Sequence, residues 1–299
     1  MGFFFLAIII IGELDTMEKI DIVIPFIDNT DQVWRKVYVD YCTRYKLNKK
    51  IADLHTERYE DNLKLIDYQL KLINKNMPWV NKIYLLLMNQ EQKPKDLPSN
   101  VVVVYHAAFI PQRFLPTFNS TTIEMFLWNI KGLSEYFIYA NDDMLPLKPL
   151  KPSDFFENGK IKIEWWEEDL RKCYNMFRQQ CYNSYSHMAI RLKKKYEENK
   201  FVRPAHSFTP MIKSHCKLAY DTLADLITKH IRAFRTEYQY NQYIYPIYEK
   251  MVYGTQDTSI DFLYTQCQED IDINHDIVCF NIVPKSKVSE LKEKLESLL

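Results

Sequence analysis

Residues 135–144, EYFIYANDDM, run a short apolar stretch directly into two adjacent carboxylates, Asp142 and Asp143. EYFIYA, residues 135–140, has the length of a strand and the composition of a buried one. Strands of that kind belong to mostly parallel sheets covered by helices on each side. In such sheets ligands collect beyond the carboxyl ends of the strands. A doublet of hard oxygen donors placed there suits Mg²⁺ or Mn²⁺ held against a diphosphate.

Upstream lie three more runs of the same character, KIDIVIPFID (19–28), KIYLLLM (82–88) and VVVVY (101–105). Helical periodicity fills the intervals. Thr30 reads as the cap of a helix with the stripe Trp34, Tyr38, Tyr41 and Tyr45. Leu63, Ile66, Leu70 and Ile73 mark a second helix, which Pro78 ends. A third, capped by Asn119 or Ser120, turns Ile123, Phe126, Leu127 and Ile130 inward and closes at Gly132. This alternation predicts an α/β fold with a mostly parallel sheet. It brings Asp28, Gln90, His106 and Asn141 to Asp143, the groups that follow the strands, to one crevice.

Downstream, KIKIEWW (160–166) reads as a strand, and 209–232 and 235–253 read as mainly helical. A C-terminal amphipathic helix turns Val288, Leu291, Leu295 and Leu298 inward. No repeat or low-complexity linker interrupts the chain, so one domain over 17–299 is expected, with a helical second half.

Composition excludes several classes. The 299 residues hold 39 Lys plus Arg against 39 Asp plus Glu, without the basic surplus of a nucleic-acid binder. With five glycines there is neither a GxGxxG nor a GxxxxGK[ST] segment, so a nucleotide must be held by other means. Six cysteines without a CxxC pair argue against structural zinc and for a reduced, cytoplasmic chain. The apolar run Phe3 to Ile11 is too short to span a bilayer and lacks a basic signal-peptide region. Gly12-Glu13 can be encoded by a ribosome-binding sequence a few codons before Met17. Translation is therefore expected to start at Met17, with residues 1–16 outside the protein. No transmembrane segment is expected, which leaves room for peripheral attachment at the inner face of a membrane.

Four ordered segments then resemble the Stealth family of sugar-phosphate transferases. IDIVIPFIDNTDQVW is similar to its first block, with Asp28-Asn29-Thr30-Asp31 in the place of Asp-Gly-Ser-Asp. RYEDNLKLIDYQLKLINKNMPWVNKIYLLLMNQ, followed by LPTFNSTTIEMFLWNIKGLSEYFIYANDDM, resembles the second block closely in order and spacing. RPAHSFTPMIKS and AFRTEYQYNQYIYPIYE resemble the third, and DIVCFNI the fourth. The resemblance covers residues 19 to about 285.

It implies a nucleotide-sugar-binding fold (GT-A or Rossmann-like), a nucleoside-diphosphate sugar as donor and a glycan as acceptor. It also implies roles. Asp142 and Asp143 would hold the divalent cation, with Asn281 as a further oxygen ligand. Asp28 is a donor-site or acid/base candidate, His206 the base for the acceptor hydroxyl, and Arg235 the neutraliser of phosphoryl charge. Arg58, Asn62, Asn119 and Ser120 would contact substrate. Read by residue type alone, Asn119-Ser120 is equally a helix cap, His206 a loop residue and Arg235 an ion-pair partner on a helix.

The sequence departs from the family pattern at three places. Asn29 replaces a glycine, Pro25-Phe26 stands where Thr-Trp is common, and Ile282 replaces an aspartate, so that either Asp272 or Asp276 substitutes for it or metal affinity is lower. Two rival readings follow: a metal-dependent glycosyltransferase using the same donor, and a non-catalytic glycan-binding or assembly subunit.

Overall fold

Strand β1 (Ile20–Pro25) runs parallel to β2 (Ile83–Leu87) on one side and to β4 (Tyr136–Tyr139) on the other. Beyond β2 lies β3 (Val101–Tyr105), also parallel, and beyond β4 an antiparallel edge strand, Thr209–Ile212, completes a five-stranded sheet. These relations come from a computed structural model that describes residues 19–47 and 63–299. Arg58, Asn62 and the expected start at Met17 lie outside those residues.

The strands are apolar throughout because both faces of the sheet are covered. Val23, Tyr84, Leu86, Phe137 and Tyr139 pack on one side against the helices Met176–Arg191, Lys213–His230 and Ile244–Val252. Ile22, Ile24, Leu85 and Ile138 pack on the other side against α2 (Leu65–Asn76). Each fully buried aliphatic side chain here contributes roughly 1.5–3 kcal/mol of transfer free energy. The α/β class with a mostly parallel sheet is therefore as expected from the run lengths.

A smaller sheet continues from β4. After a turn, β5 (Met144–Pro146) pairs antiparallel with Ile277–Phe280, which pairs in turn with Phe262–Thr265. The C-terminal helix Val288–Ser297 buries Leu291 and Leu295 against Leu72, Leu145, Val278 and Phe280. Among the described residues no helix is long and apolar enough to cross a membrane.

Several elements differ from the sequence reading. Helix α1 (Gln32–Arg44) is capped by Asp31 rather than Thr30, its carboxylate accepting from Val33 N and Trp34 N. It buries Trp34, Tyr38 and Cys42 at i, i+4, i+8 and leaves Tyr45 exposed. The third helix is short: α3 (Ser120–Glu124) gives way to a 3₁₀ turn at Leu127–Asn129, and Gly132 at φ +77° ends the segment. Residues 209–212 are strand, not helix. Pro210 is tolerated there because an edge position needs no donor from it. Over 235–253 only Ile244–Val252 is helical, and 160–166 is broken between two short strands, Lys160–Ile161 and Trp165–Asp169.

Candidate active site

The carboxyl ends of β1 and β4 open into a cleft of about 560 Å³. Asp142 and Asp143 enter it from the turn between β4 and β5, closed by Met144 N donating to the carbonyl of Asn141 at 3.2 Å. The pairing of β5 with Ile277–Phe280 runs one step further, Phe280 N donating to Asp143 O at 2.8 Å. That step sets Asn281 beside the acidic pair, and it too lines the cleft. Three oxygen-bearing side chains thus line one cleft, the ligand type that a hard divalent cation takes.

A further part of the lining comes from α3 and the loop after helix Lys213–His230. Asn119 is fully buried. Its Oδ1 caps α3 by accepting from Thr121 N at 3.1 Å, and its Nδ2 donates to Gln239 Oε1 at 3.0 Å and Arg232 O at 3.2 Å. Gln239 also ties down its own loop, accepting from Thr236 N at 3.0 Å and donating to His230 O at 3.1 Å. This knot carries Arg235 to the cleft, where its Nη2 donates to Ser120 Oγ.

Below Ser120 lies Glu124, 4% exposed and also lining the cleft. Its Oε1 lies 3.0 Å from the Tyr139 hydroxyl oxygen and its Oε2 accepts from Gln242 N at 3.3 Å. Burial pushes its carboxyl above the usual range, opposed by the charge of Arg235 and by these hydrogen bonds. The sequence reading missed Glu124, although a signal was present: it is the one charged residue between Arg113 and Lys131.

His206 reaches the cleft from the loop that precedes the edge strand. Its Nε2 lies 3.3 Å from Asn141 Nδ2 and its Nδ1 3.3 Å from the Tyr243 hydroxyl. The rings of Phe177 and Tyr264 stand edge-on to the imidazole, with centroids 6.3 and 5.7 Å away.

The cleft thus brings together Asp142, Asp143, Asn281, His206, Arg235 and Ser120, contributed by distant parts of the chain. Other candidates lie apart from it. Asp28 Oδ1 accepts from Thr30 N at 2.8 Å and Thr30 Oγ1 at 2.6 Å, stabilising the turn after β1, and is not a lining residue. Asn119 acts through its buried hydrogen bonds rather than at the surface. Gln90 is exposed, while His106 is buried beside Phe109 and away from the cleft. Asp272 and Asp276 do not replace the family's aspartate. They precede strand Ile277–Phe280, at the end away from Asn281, and bond Asn274 N and Asp261 N. Ile282 stands on the cleft wall, 46% exposed, and Pro25 and Phe26 line the cleft as well.

Residues 58–163 match the family model of Stealth protein CR2, conserved region 2. A capsular polysaccharide phosphotransferase of Actinobacillus suis is 34% identical over 205 residues, 67% of this chain and 55% of that one. The capsular polysaccharide phosphotransferase LcbA of Neisseria meningitidis is 33% identical over 230 residues, 75% of this chain and 62% of that one. A receptor polysaccharide phosphotransferase, WefC, of Streptococcus gordonii is 37% identical over 150 residues, 49% and 44% of the two chains. The chain thus spans little more than half the length of the first two relatives. The α/β sheet, the segment 58–163 and these likenesses agree on one conclusion: the chain belongs to the Stealth family.

Proposed function

We propose that this protein is an enzyme that transfers a sugar-1-phosphate from a nucleoside-diphosphate sugar to a hydroxyl of a glycan, forming a phosphodiester in capsular or other cell-surface polysaccharide. The observation that carries the reading is one cleft lined together by the acidic pair, Arg235, Glu124 and His206. The relatives' names supply the polysaccharide and the phosphotransfer. The same reading treats 17–299 as one catalytic domain working in the cytoplasm, at the inner face of a membrane.

In this mechanism the acceptor oxygen forms a bond to the β-phosphorus while the bond from that phosphorus to the bridging oxygen breaks. The nucleoside monophosphate leaves. His206 takes the proton of the acceptor hydroxyl, a task suited to an imidazole near neutrality. Arg235 offers its guanidinium to the phosphoryl oxygens as their charge grows, and Ser120 Oγ keeps that group in place. Asp142, Asp143 and Asn281 would hold Mg²⁺ or Mn²⁺, which supplies charge neutralisation at the diphosphate. Glu124 and Tyr139 form the buried floor that orients the polar groups above them.

The leaving group tests the reading. The purified protein is incubated with candidate nucleotide sugars, an acceptor glycan and Mg²⁺, and the nucleotides are separated. Acceptor-dependent release of nucleoside monophosphate, with phosphorus in the glycan, is expected. Stoichiometric nucleoside diphosphate and a phosphorus-free product would replace this reading with glycosyl transfer. Cation binding with no turnover on any donor would favour a glycan-binding subunit.

A further inference from the structure

A continuous chain of hydrogen bonds joins Glu124 to Tyr243 through the candidate base. The Tyr139 hydroxyl lies 3.0 Å from Glu124 Oε1 and 2.9 Å from Asn141 Oδ1. Asn141 Nδ2 lies 3.3 Å from His206 Nε2, and His206 Nδ1 lies 3.3 Å from the Tyr243 hydroxyl. Tyr139 has one hydrogen for two acceptor oxygens, so counting hydrogens constrains the whole chain.

As the structure stands, Tyr139 donates to Asn141 Oδ1 and the Asn141 amide nitrogen faces His206. An amide nitrogen has hydrogens and no lone pair to offer, so Nε2 must accept. The imidazole hydrogen is then on Nδ1, donated to the Tyr243 oxygen. The remaining contact, Tyr139 to Glu124, is satisfied when Glu124 carries a proton and donates it to the Tyr139 oxygen. Burial of Glu124 favours that protonated form.

We propose that Asn141, oriented by Tyr139, is a positioning residue that fixes the tautomer of His206, keeping the ring hydrogen on Nδ1 and the lone pair on Nε2. The proposal deepens the function proposed above and rests on its reading of His206 as the base. With the lone pair on Nε2, the acceptor hydroxyl can hand over its proton there as the Asn141 amide shifts its donation from Nε2 to the hydroxyl oxygen. Rotation of the ring about Cβ–Cγ would put carbon in place of both nitrogens and break both contacts, and Phe177 and Tyr264, edge-on against the imidazole, oppose it. Reversal of every bond in the chain would place the hydrogen on Nε2 and require an ionised Glu124. Glu124, Tyr139 and Asn141 thereby act as one unit.

Nuclear magnetic resonance of protein carrying isotope-labelled histidine reads the tautomer directly, without substrate. At about pH 8.5, well above the ordinary imidazole pKa of about 6.5, His206 is assigned by the signals lost in His206→Gln. Wild-type protein is expected to show the hydrogen on Nδ1 in roughly three- to tenfold excess, the ratio one net hydrogen bond sustains. Asn141→Asp, which presents only acceptors, should move the hydrogen to Nε2, and Tyr139→Phe should bring the ratio to within about threefold of unity. Wild-type protein with the hydrogen mainly on Nε2 would overturn the proposal, whatever the variants do. The same tautomer in all three folded proteins would overturn it too. The expected tautomers in a protein without transferase activity would leave the relay standing and remove the function.

Discussion

Gln69 donates from Nε2 to the carbonyl of Asn141 at 2.7 Å, and the same nitrogen reaches the carbonyl of Met144 at 2.6 Å. Asp142 and Asp143 are the two residues between those carbonyls. A fully buried side chain on α2 therefore brackets the turn that carries both carboxylates into the cleft. The loop is short and acidic, and repulsion between its two charges favours opening it. One amide holds both of its ends.

Replacement of Gln69 by Met keeps the volume and removes the donor. Two carbonyls then lose a buried partner, and destabilisation of about 1–3 kcal/mol is expected. Gln69→Glu should cost more, because it sets a carboxylate against two carbonyl oxygens. Denaturant unfolding measures both. Stability unchanged in Gln69→Met would mean that the turn holds without the clamp.

The acidic pair makes its own prediction. Magnesium or manganese should raise the melting temperature of the wild-type protein, and Asp142→Asn or Asp143→Asn should abolish that rise. Turnover should fall by more than the roughly 10–100-fold seen when a residue behind a ligand is lost. Thermal melts with and without chelator read the first effect independently of activity. A cation-dependent rise that survives in both variants would place the ion elsewhere.

His106 predicts acid sensitivity. Its ring is buried, neither nitrogen has a hydrogen-bond partner among the described residues, and burial lowers its pKa from 6.5 to about 4. The unfolded chain binds a proton below pH 6.5 that the folded chain refuses until about pH 4. Stability attributable to the neutral ring is complete above 6.5, erodes as pH falls, and is lost by about 4. The 2.5-unit difference corresponds to about 3 kcal/mol. Unfolding of wild type and His106→Leu across that window should show wild type losing about that much more than the variant. A constant difference between them would mean that His106 is not kept neutral.

How much of this was legible in the sequence depended on whether each signal was local. The strands were, since runs such as VVVVY and KIYLLLM state their own burial. The acidic doublet was local as well, by its place after β4. Residues 209–212 were not: whether TPMI forms a strand depends on the free edge of β4, a partner seventy residues away in sequence. The resemblance singled out His206 and Arg235, both of which line the cleft, where residue type alone would have left them in a loop and on a helix. It gave similar weight to Asp28 and Asn119, whose hydrogen bonds stabilise a turn and cap a helix. Glu124 and Gln69 were passed over as ordinary polar positions of a helix, and Asn141 was placed at the crevice without a role of its own. Each matters because of a group that folding brings beside it.

Arg235 and Ser120 separate two roles that the same hydrogen bond could serve. If Arg235 stabilises the phosphoryl group, Ser120 only steadies it, and the two losses should be unequal. Arg235→Ala should lower kcat by about 10²–10³-fold, the range for removing one donor aimed at developing charge. Arg235→Lys should recover part of that, since it restores charge but not the fork. Ser120→Ala forfeits one hydrogen bond, about 0.5–1.5 kcal/mol, and should cost roughly ten-fold at most. The loop should survive all three changes, because its anchorage runs through Gln239 and Asn119 rather than the guanidinium. Steady-state kinetics on each variant, with melting curves to check folding, gives the order. If Ser120→Ala is as damaging as Arg235→Ala, the guanidinium serves to hold Ser120 over Glu124, and stabilisation of the transferred phosphoryl group has to come from elsewhere in the cleft.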